Sequence, residues 1–194
     1  MSIVDKRSFF IWVFKFSLYA LNAQTFFSQQ EENIIYYSPD IAPTAVCVGD
    51  IEGDGDQDIL SFFDQKFRLY EHVDGKGIFV EQEIMAAPDD WILSVFISDL
   101  NGDGKEDVLA ASYNNDEIIW YENGGDLTFG TRVSITDSAR GAASVYAADL
   151  DKDGEQDVLS ASIGDNKIAW YENKGSGNFI SQPIIYIQSE GARY

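Results

Sequence analysis

Histidine and cysteine are nearly missing from this 194-residue chain, which holds one of each, His72 and Cys47. A lone cysteine excludes an internal disulfide, and no Cys/His spacing suited to zinc occurs. His72 falls where two later segments carry Asn123 and Asn173, so it reads as a turn residue. A His-based catalytic triad therefore has little support. Basic residues are scarce as well: 13 Lys and Arg stand against 33 Asp and Glu, a formal charge of −20. Such a surface repels nucleic-acid phosphates and anionic membranes and attracts divalent cations. Neither a Gly-rich phosphate loop nor a basic patch is present. After residue 23 there is no apolar stretch that could cross a bilayer and no sustained 3.6-residue apolar period long enough for a helix.

What remains is enough to fold. Hydrophobic residues make up 45% and aromatics 14%, which allows a buried core. Residues 1–23 read as an export signal. Lys6 and Arg7 precede the apolar run Phe9–Ala20, and Ala20-Leu21-Asn22-Ala23 supplies a cleavage site. Lys15 interrupts that run, and an uncleaved N-terminal anchor is the rival reading. The mature chain is expected to be secreted or held at the cell surface. Cys47, within Thr44-Ala45-Val46-Cys47-Val48, reads as a small buried strand residue. Something other than disulfides must staple such an exported protein.

The same acidic loop is written three times, as DIEGDGDQD at Asp50–Asp58, DLNGDGKED at Asp99–Asp107 and DLDKDGEQD at Asp149–Asp157. Each has an acid at positions 1, 5 and 9, an acid or amide at 3 and glycine at 6. The loops carry −5, −3 and −4, more than half of the chain's net charge. Calcium takes six to eight oxygens from carboxylates, amides, main-chain carbonyls and water, and alternate residues of a tight loop aim theirs at one centre. The expected ligands are Asp50, Glu52, Asp54, Asp58 and the carbonyl of Asp56 in loop one. In loop two they are Asp99, Asn101, Asp103, Asp107 and the carbonyl of Lys105. In loop three they are Asp149, Asp151, Asp153, Asp157 and the carbonyl of Glu155. Glu52 is one methylene longer than its counterparts, which sets loop one apart. An EF-hand would need a bidentate Glu at position 12 and flanking helices. Position 12 is Ser61, Ala110 or Ser160, and the flanks read as strands.

The loops belong to a longer repeat, Val46–Ser94, Val95–Ser144 and Val145–Tyr194, preceded by a leading segment, 24–45, with one strand at Asn33–Tyr37. Val95-Phe96-Ile97-Ser98 and Val145-Tyr146-Ala147-Ala148 precede loops two and three. Asp107–Ser112 and Asp157–Ser162 follow them, and then Ile118–Asn123 and Ile168–Asn173, matched by Phe67–His72 in the first unit. A fourth run closes each unit, as at Arg132–Ile135 and Pro183–Ile187. Short β-branched and aromatic runs between Gly, Asn and Asp clusters give four strands per unit. The reading is all-β: a partial β-propeller of three four-stranded antiparallel blades, with a calcium loop in each first hairpin. Three blades are too few to close a ring. A fragment of a longer protein, association with other copies and an open array all remain open. The first is favoured because Glu190-Gly191-Ala192 repeats the lead-in Arg140-Gly141-Ala142.

On these residues the chain resembles the FG-GAP/VCBS repeat family, whose relatives form the N-terminal propeller of integrin α subunits. The likeness covers Val46–Tyr194. The Phe-Gly element survives as Phe129-Gly130, whereas Phe79-Val80 and Phe179-Ile180 depart from it. The Gly-Ala-Pro element is reduced to Gly141-Ala142 and Gly191-Ala192 and is absent around Asp90-Trp91. The resemblance implies calcium between the first two strands of a blade and extracellular adhesion or ligand binding.

The expected function is thus a secreted calcium-binding module for an extracellular protein or polysaccharide, with structural metals and no catalysis. The alternatives are the propeller part of a carbohydrate-active enzyme, using a carboxylate pair, or a non-binding spacer. Trp120-Tyr121 and Trp170-Tyr171 recur at one blade position and read as packing between blades. Trp91 has no counterpart and is the better ligand-facing aromatic.

Overall fold

The computed structural model describes residues 42–73 and 76–187. The expected export signal, the strand at Asn33–Tyr37 and the lead-in at Glu190–Ala192 lie outside them. β1 (Ala45–Gly49), β2 (Asp58–Phe63), β3 (Lys66–His72) and β4 (Phe79–Ala86) form one antiparallel sheet in that order. A second sheet contains β5 (Ile92–Ser98), β6 (Asp107–Ser112), β7 (Glu117–Tyr121) and, beyond a short ribbon of β8 (Asn123–Gly125) and β9 (Thr128–Phe129), β10 (Val133–Thr136). The third comprises β11 (Ala142–Ala148), β12 (Asp157–Ser162), β13 (Lys167–Asn173) and β14 (Phe179–Ser181). Among the described residues every strand pair is antiparallel and there is no helix.

Four strands per unit needs two corrections, the first being the added β8–β9 ribbon of the second unit. β15 (Tyr186–Ile187) adds a fifth strand to the third sheet, pairing with Ile168 and Lys167 of β13. The run expected at Pro183–Ile187 is therefore the second half of a broken edge. Pro183 has no N–H to give to a ladder, and the edge strand parts around it. Gln182 and Ile185 still donate their N–H groups to Trp170 and Ile168 carbonyls, at 2.9 and 3.0 Å.

Matched registers carry the repeat through the fold: Leu60 lies opposite Leu69, Leu109 opposite Trp120 and Leu159 opposite Trp170. Because side chains alternate across a strand, each sheet has two faces to cover. Leu60, Phe67 and Leu69 of the first sheet pack against Val95, Val108 and Ile119 of the second. From its other face, Leu109, Ile118 and Trp120 pack against Val145, Val158 and Ala169 of the third. Trp120 lies so close to Gly177 that a Cβ there would sit 2.7 Å from the indole. The expected packing role of this tryptophan is thus visible in a contact between sheets. Strand direction places the three acidic loops at one end of the sheets and residues 64–65, 87–91 and 113–116 at the opposite end.

Candidate metal centre

Position 9 of each loop is a structural staple. Asp58, Asp107 and Asp157 are fully buried at the first residue of β2, β6 and β12. Their Oδ2 atoms accept the N–H groups of Ile51, Leu100 and Leu150, at 3.2, 3.0 and 3.1 Å. Their Oδ1 atoms accept from His72, Asn123 and Asn173, at 2.9, 2.8 and 2.8 Å. One carboxylate thereby pins the loop's start to the end of the third strand. Burial pushes the Asp107 carboxyl up to about 6, assisted by the Asp103 and Asp99 charges and opposed by its two N–H donors.

In loops two and three the side chains at 1, 3 and 5 wind the main chain around themselves. Asp99 accepts from Gly102 at 2.7 Å and from Gly104 at 2.8 Å, and Asp149 accepts from Lys152 at 2.7 Å and from Gly154 at 3.2 Å. Asn101 and Asp151 each accept from the residue two ahead, at 2.9 and 3.1 Å. Asp103 and Asp153 do the same with Lys105 and Glu155, both at 3.0 Å. The bend requires φ of +85° at Gly104 and +98° at Gly154, a conformation that a Cβ would strain. As a result, one oxygen each from Asp149, Asp151 and Asp153 lies within 4.8 Å of the others. In loop two no three carboxylates come so near, because position 3 is the amide Asn101. There Lys105 Nζ pairs with Asp103 at 2.8 Å and lowers that exposed carboxyl's pKa.

Loop one is built differently. Asp50, Glu52 and Asp58 converge within 4.8 Å, while Asp54 stays outside that group and accepts from Asp56 at 2.9 Å, as position 5 does in the other loops. Asp50 Oδ1 and both Glu52 oxygens are buried with no hydrogen-bond donor. Glu52 meets the Asp58 carboxylate, with which it can bond only when a proton is shared. Burial first, and then Asp58, push the Glu52 carboxyl up to about 8. Glu106, from loop two, joins this group: a Cβ on Gly49 would lie 2.3 Å from its Oε2, which also has no donor. Burial raises its pKa, as do the charges of Asp50, Asp58 and Asp99, against a hydrogen bond from the Asp50 main chain. Glu106 is not among the ligands expected from the loop spacing. The signal was position 8, where loops one and three have Gln57 and Gln156.

The loops are also tied sheet to sheet. Asn123 donates from Nδ2 to the Ile51 carbonyl at 2.9 Å, and Asn173 donates to the Leu100 carbonyl at 2.7 Å. Each also reaches a carbonyl of its own loop, Glu106 at 3.0 Å or Gln156 at 3.1 Å. Position 2 of one loop is thus held by the next unit.

At the opposite end a cavity of about 770 Å³ opens between the first two sheets, walled by Asp64, Gln65, Asp89, Trp91 and Asn114 among others. Trp91 is exposed, edge-on to Tyr113 at 5.5 Å. The main-chain N–H of Trp91 donates to Asn114 Oδ1 at 2.6 Å, and Asn114 Nδ2 donates to the Asp89 carbonyl at 2.7 Å, so the indole stands on a braced loop.

The FG-GAP-like repeat family model matches the chain twice, over residues 50–110 and 99–160. Each window spans two successive acidic loops, and together they cover more than half the chain. No curated protein matches. One solved structure that does is described as the structural basis of specific recognition of non-reducing terminal N-acetylglucosamine by an Agrocybe aegerita lectin. It is similar at a TM-score of 0.51 and 24% identity, over 70% of this chain and 36% of that one. The chain therefore spans about a third of the lectin's length, and the likeness is one of fold.

Proposed function

Because this chain belongs to the FG-GAP-like repeat family, we propose that its sheets are blades of a β-propeller whose acidic loops bind calcium structurally, in a secreted or cell-surface binding module. The observation that carries the calcium reading is the convergence of Asp149, Asp151 and Asp153, with no Lys or Arg paired to them among the described residues. Packed carboxylates without a cation repel one another, and a hard divalent ion is the ligand suited to their oxygens. The donorless oxygens of Asp50 and Glu52 support the same reading for loop one. In each loop the side chains at 1, 3 and 5 and the carbonyl at 7 would hold the ion. The position 9 carboxylate, already accepting two N–H bonds, would orient the loop and lend a remaining lone pair. A calorimetric calcium titration tests this. Saturable binding with affinity on the order of 10⁻⁴ to 10⁻³ M is expected. Replacing Asp149, Asp151 and Asp153 with Ala should remove one site; absence of calcium binding to the parent chain contradicts the reading.

The ligand reading is binding of an extracellular protein or polysaccharide without catalysis. A saccharide is favoured by the Trp91 cavity, where an exposed indole adjoins carboxylate and amide groups suited to sugar hydroxyls. The lectin that shares the fold recognises terminal N-acetylglucosamine, which makes glycans ending in that sugar the first probes. Retention on such a glycan surface, lost in Trp91→Ala, is expected. Turnover of a polysaccharide by this chain would contradict a purely binding role.

A further inference from the structure

The sequence holds two Asn-Gly pairs, Asn101-Gly102 and Asn123-Gly124. Asparagine before glycine is the pair most prone to lose its side-chain amide, because a residue without Cβ lets its main-chain nitrogen reach the preceding carboxamide carbon. The fold treats the two pairs in opposite ways. Asn123 is 1% exposed, donates from Nδ2 to the Ile51 and Glu106 carbonyls at 2.9 and 3.0 Å, and accepts from Gly125 at 2.9 Å. Turning its carboxamide toward Gly124 would break all three bonds inside a buried contact between sheets. Asn101 instead precedes four exposed residues, Gly102 to Lys105. Its Nδ2 donates to Glu122 at 3.1 Å and its Oδ1 accepts from Asp103 at 2.9 Å, both at the surface. The Gly102 nitrogen is held only by Asp99, at 2.7 Å, in another exposed bond. A Cβ built on Gly102 would meet nothing nearer than Glu155 at 3.8 Å, so the site has room to rearrange.

We propose that Asn101 is a site of spontaneous deamidation, through a succinimide closed on Gly102, which rewrites the third ligand position of loop two. The Gly102 nitrogen gives its proton to solvent and attacks Asn101 Cγ. The new C–N bond closes the ring, and the carboxamide nitrogen takes up a proton and leaves as ammonia. Water then opens the ring at either carbonyl, giving aspartate or isoaspartate with no change of oxidation state. Aspartate gives position 3 the carboxylate that Asp151 supplies in loop three, where three acids converge within 4.8 Å. It also faces Glu122 with a second carboxylate where an amide donor stood. Both changes favour a bound cation. Isoaspartate instead adds a methylene to the main chain ahead of the bend at Gly104. An exposed loop opens at far lower cost than a buried contact, so Asn101 reacts long before Asn123. The modification stands on these residues alone, whereas its effect on calcium rests on the proposed function.

The full chain, kept folded in chelator at physiological temperature and mildly alkaline pH, is sampled over weeks by peptide mass mapping, with circular dichroism beside it. Fragmentation assigns each gain of one mass unit to its residue and separates aspartate from isoaspartate. Asn101 should react at least about tenfold faster than Asn123. In denaturant the two pairs should react at similar rates, which assigns the difference to the fold. Equal rates in the folded chain, or an unchanged Asn101 beside a reacting denatured control, overturns the proposal. Millimolar calcium should slow the Asn101 reaction several-fold by fixing Asp99 and Asn101 on the ion. An unchanged rate contradicts calcium at loop two and leaves the modification standing. Asn101→Asp reproduces one product at a surface loop and should fold. In a calorimetric titration it should bind calcium several-fold more tightly than the parent; equal or weaker binding overturns the gain of a ligand.

Discussion

Asn173 donates a hydrogen bond from Nδ2 to the main-chain oxygen of Leu100, 2.7 Å away and 73 residues earlier in the chain. Asn123 and Ile51 stand in the same relation one unit before. The asparagine at the end of the third strand, or two residues past it, therefore holds the acidic loop of the previous sheet.

Asn173→Ala should destabilise the chain by roughly 1–3 kcal/mol, since it leaves buried carbonyls without a donor. Asn123→Ala should do about the same, and the two effects should be close to additive because they sit at different interfaces. Urea unfolding measures both; an unchanged midpoint in either variant would remove the clamp from the account.

Asp107→Ala should be more damaging, roughly 3 kcal/mol, because the N–H groups of Leu100 and Asn123 lose a charged acceptor in a buried setting. The loss should persist in chelator, since the staple acts before any metal. Asp151→Ala, at an exposed loop position, should matter only when calcium is present. Equal effects of the two substitutions in chelator would refute the separation of staple from ligand.

These assignments show where the sequence was readable. Strand positions followed from β-branched and aromatic runs between turn residues, and the repeat of Asp, Gly and Trp-Tyr landmarks fixed which runs correspond. Sequence spacing alone treated position 9 as one more ligand. It could not reveal that Asp58, Asp107 and Asp157 lie buried under two main-chain donors, because those donors come partly from a strand 14 to 16 residues away. Asn123 and Asn173 were seen as landmarks, but their acceptors are 72 and 73 residues distant and belong to another sheet. Glu106 escaped for the same reason, since its neighbours Gly49 and Asp50 are in the preceding unit. The run at Pro183–Ile187 differs from the expected single strand because proline lacks the N–H that an unbroken ladder needs, and the edge divides into β14 and β15.

In the calcium-free chain, stability should depend on pH through Glu52. Its folded carboxyl sits at about 8 against an ordinary 4.5, so the folded state holds the proton more tightly than the unfolded state. That contribution is complete below about 4.5 and is lost as pH rises to about 8. Melting temperature in chelator should therefore fall across this window, and Glu52→Gln should flatten the curve. A rise in the parent chain over the same range would contradict the placement of Glu52.

Cys47 should be inert while the chain is folded. Burial, and then the Glu106 charge, push its thiol up to about 12, leaving almost no thiolate at neutral pH. An aromatic disulfide reagent at pH 7.5 should label it only after unfolding. Labelling of the folded chain at the rate of an unfolded control would place the thiol elsewhere.

Thermal unfolding in millimolar calcium, compared with the same scan in excess chelator, tests the central claim most directly. Binding confined to the folded state raises stability with free calcium concentration. The account predicts a melting temperature higher by several degrees in calcium, with the gain reduced in Asp149→Ala/Asp151→Ala. Superimposable curves with and without calcium would contradict it.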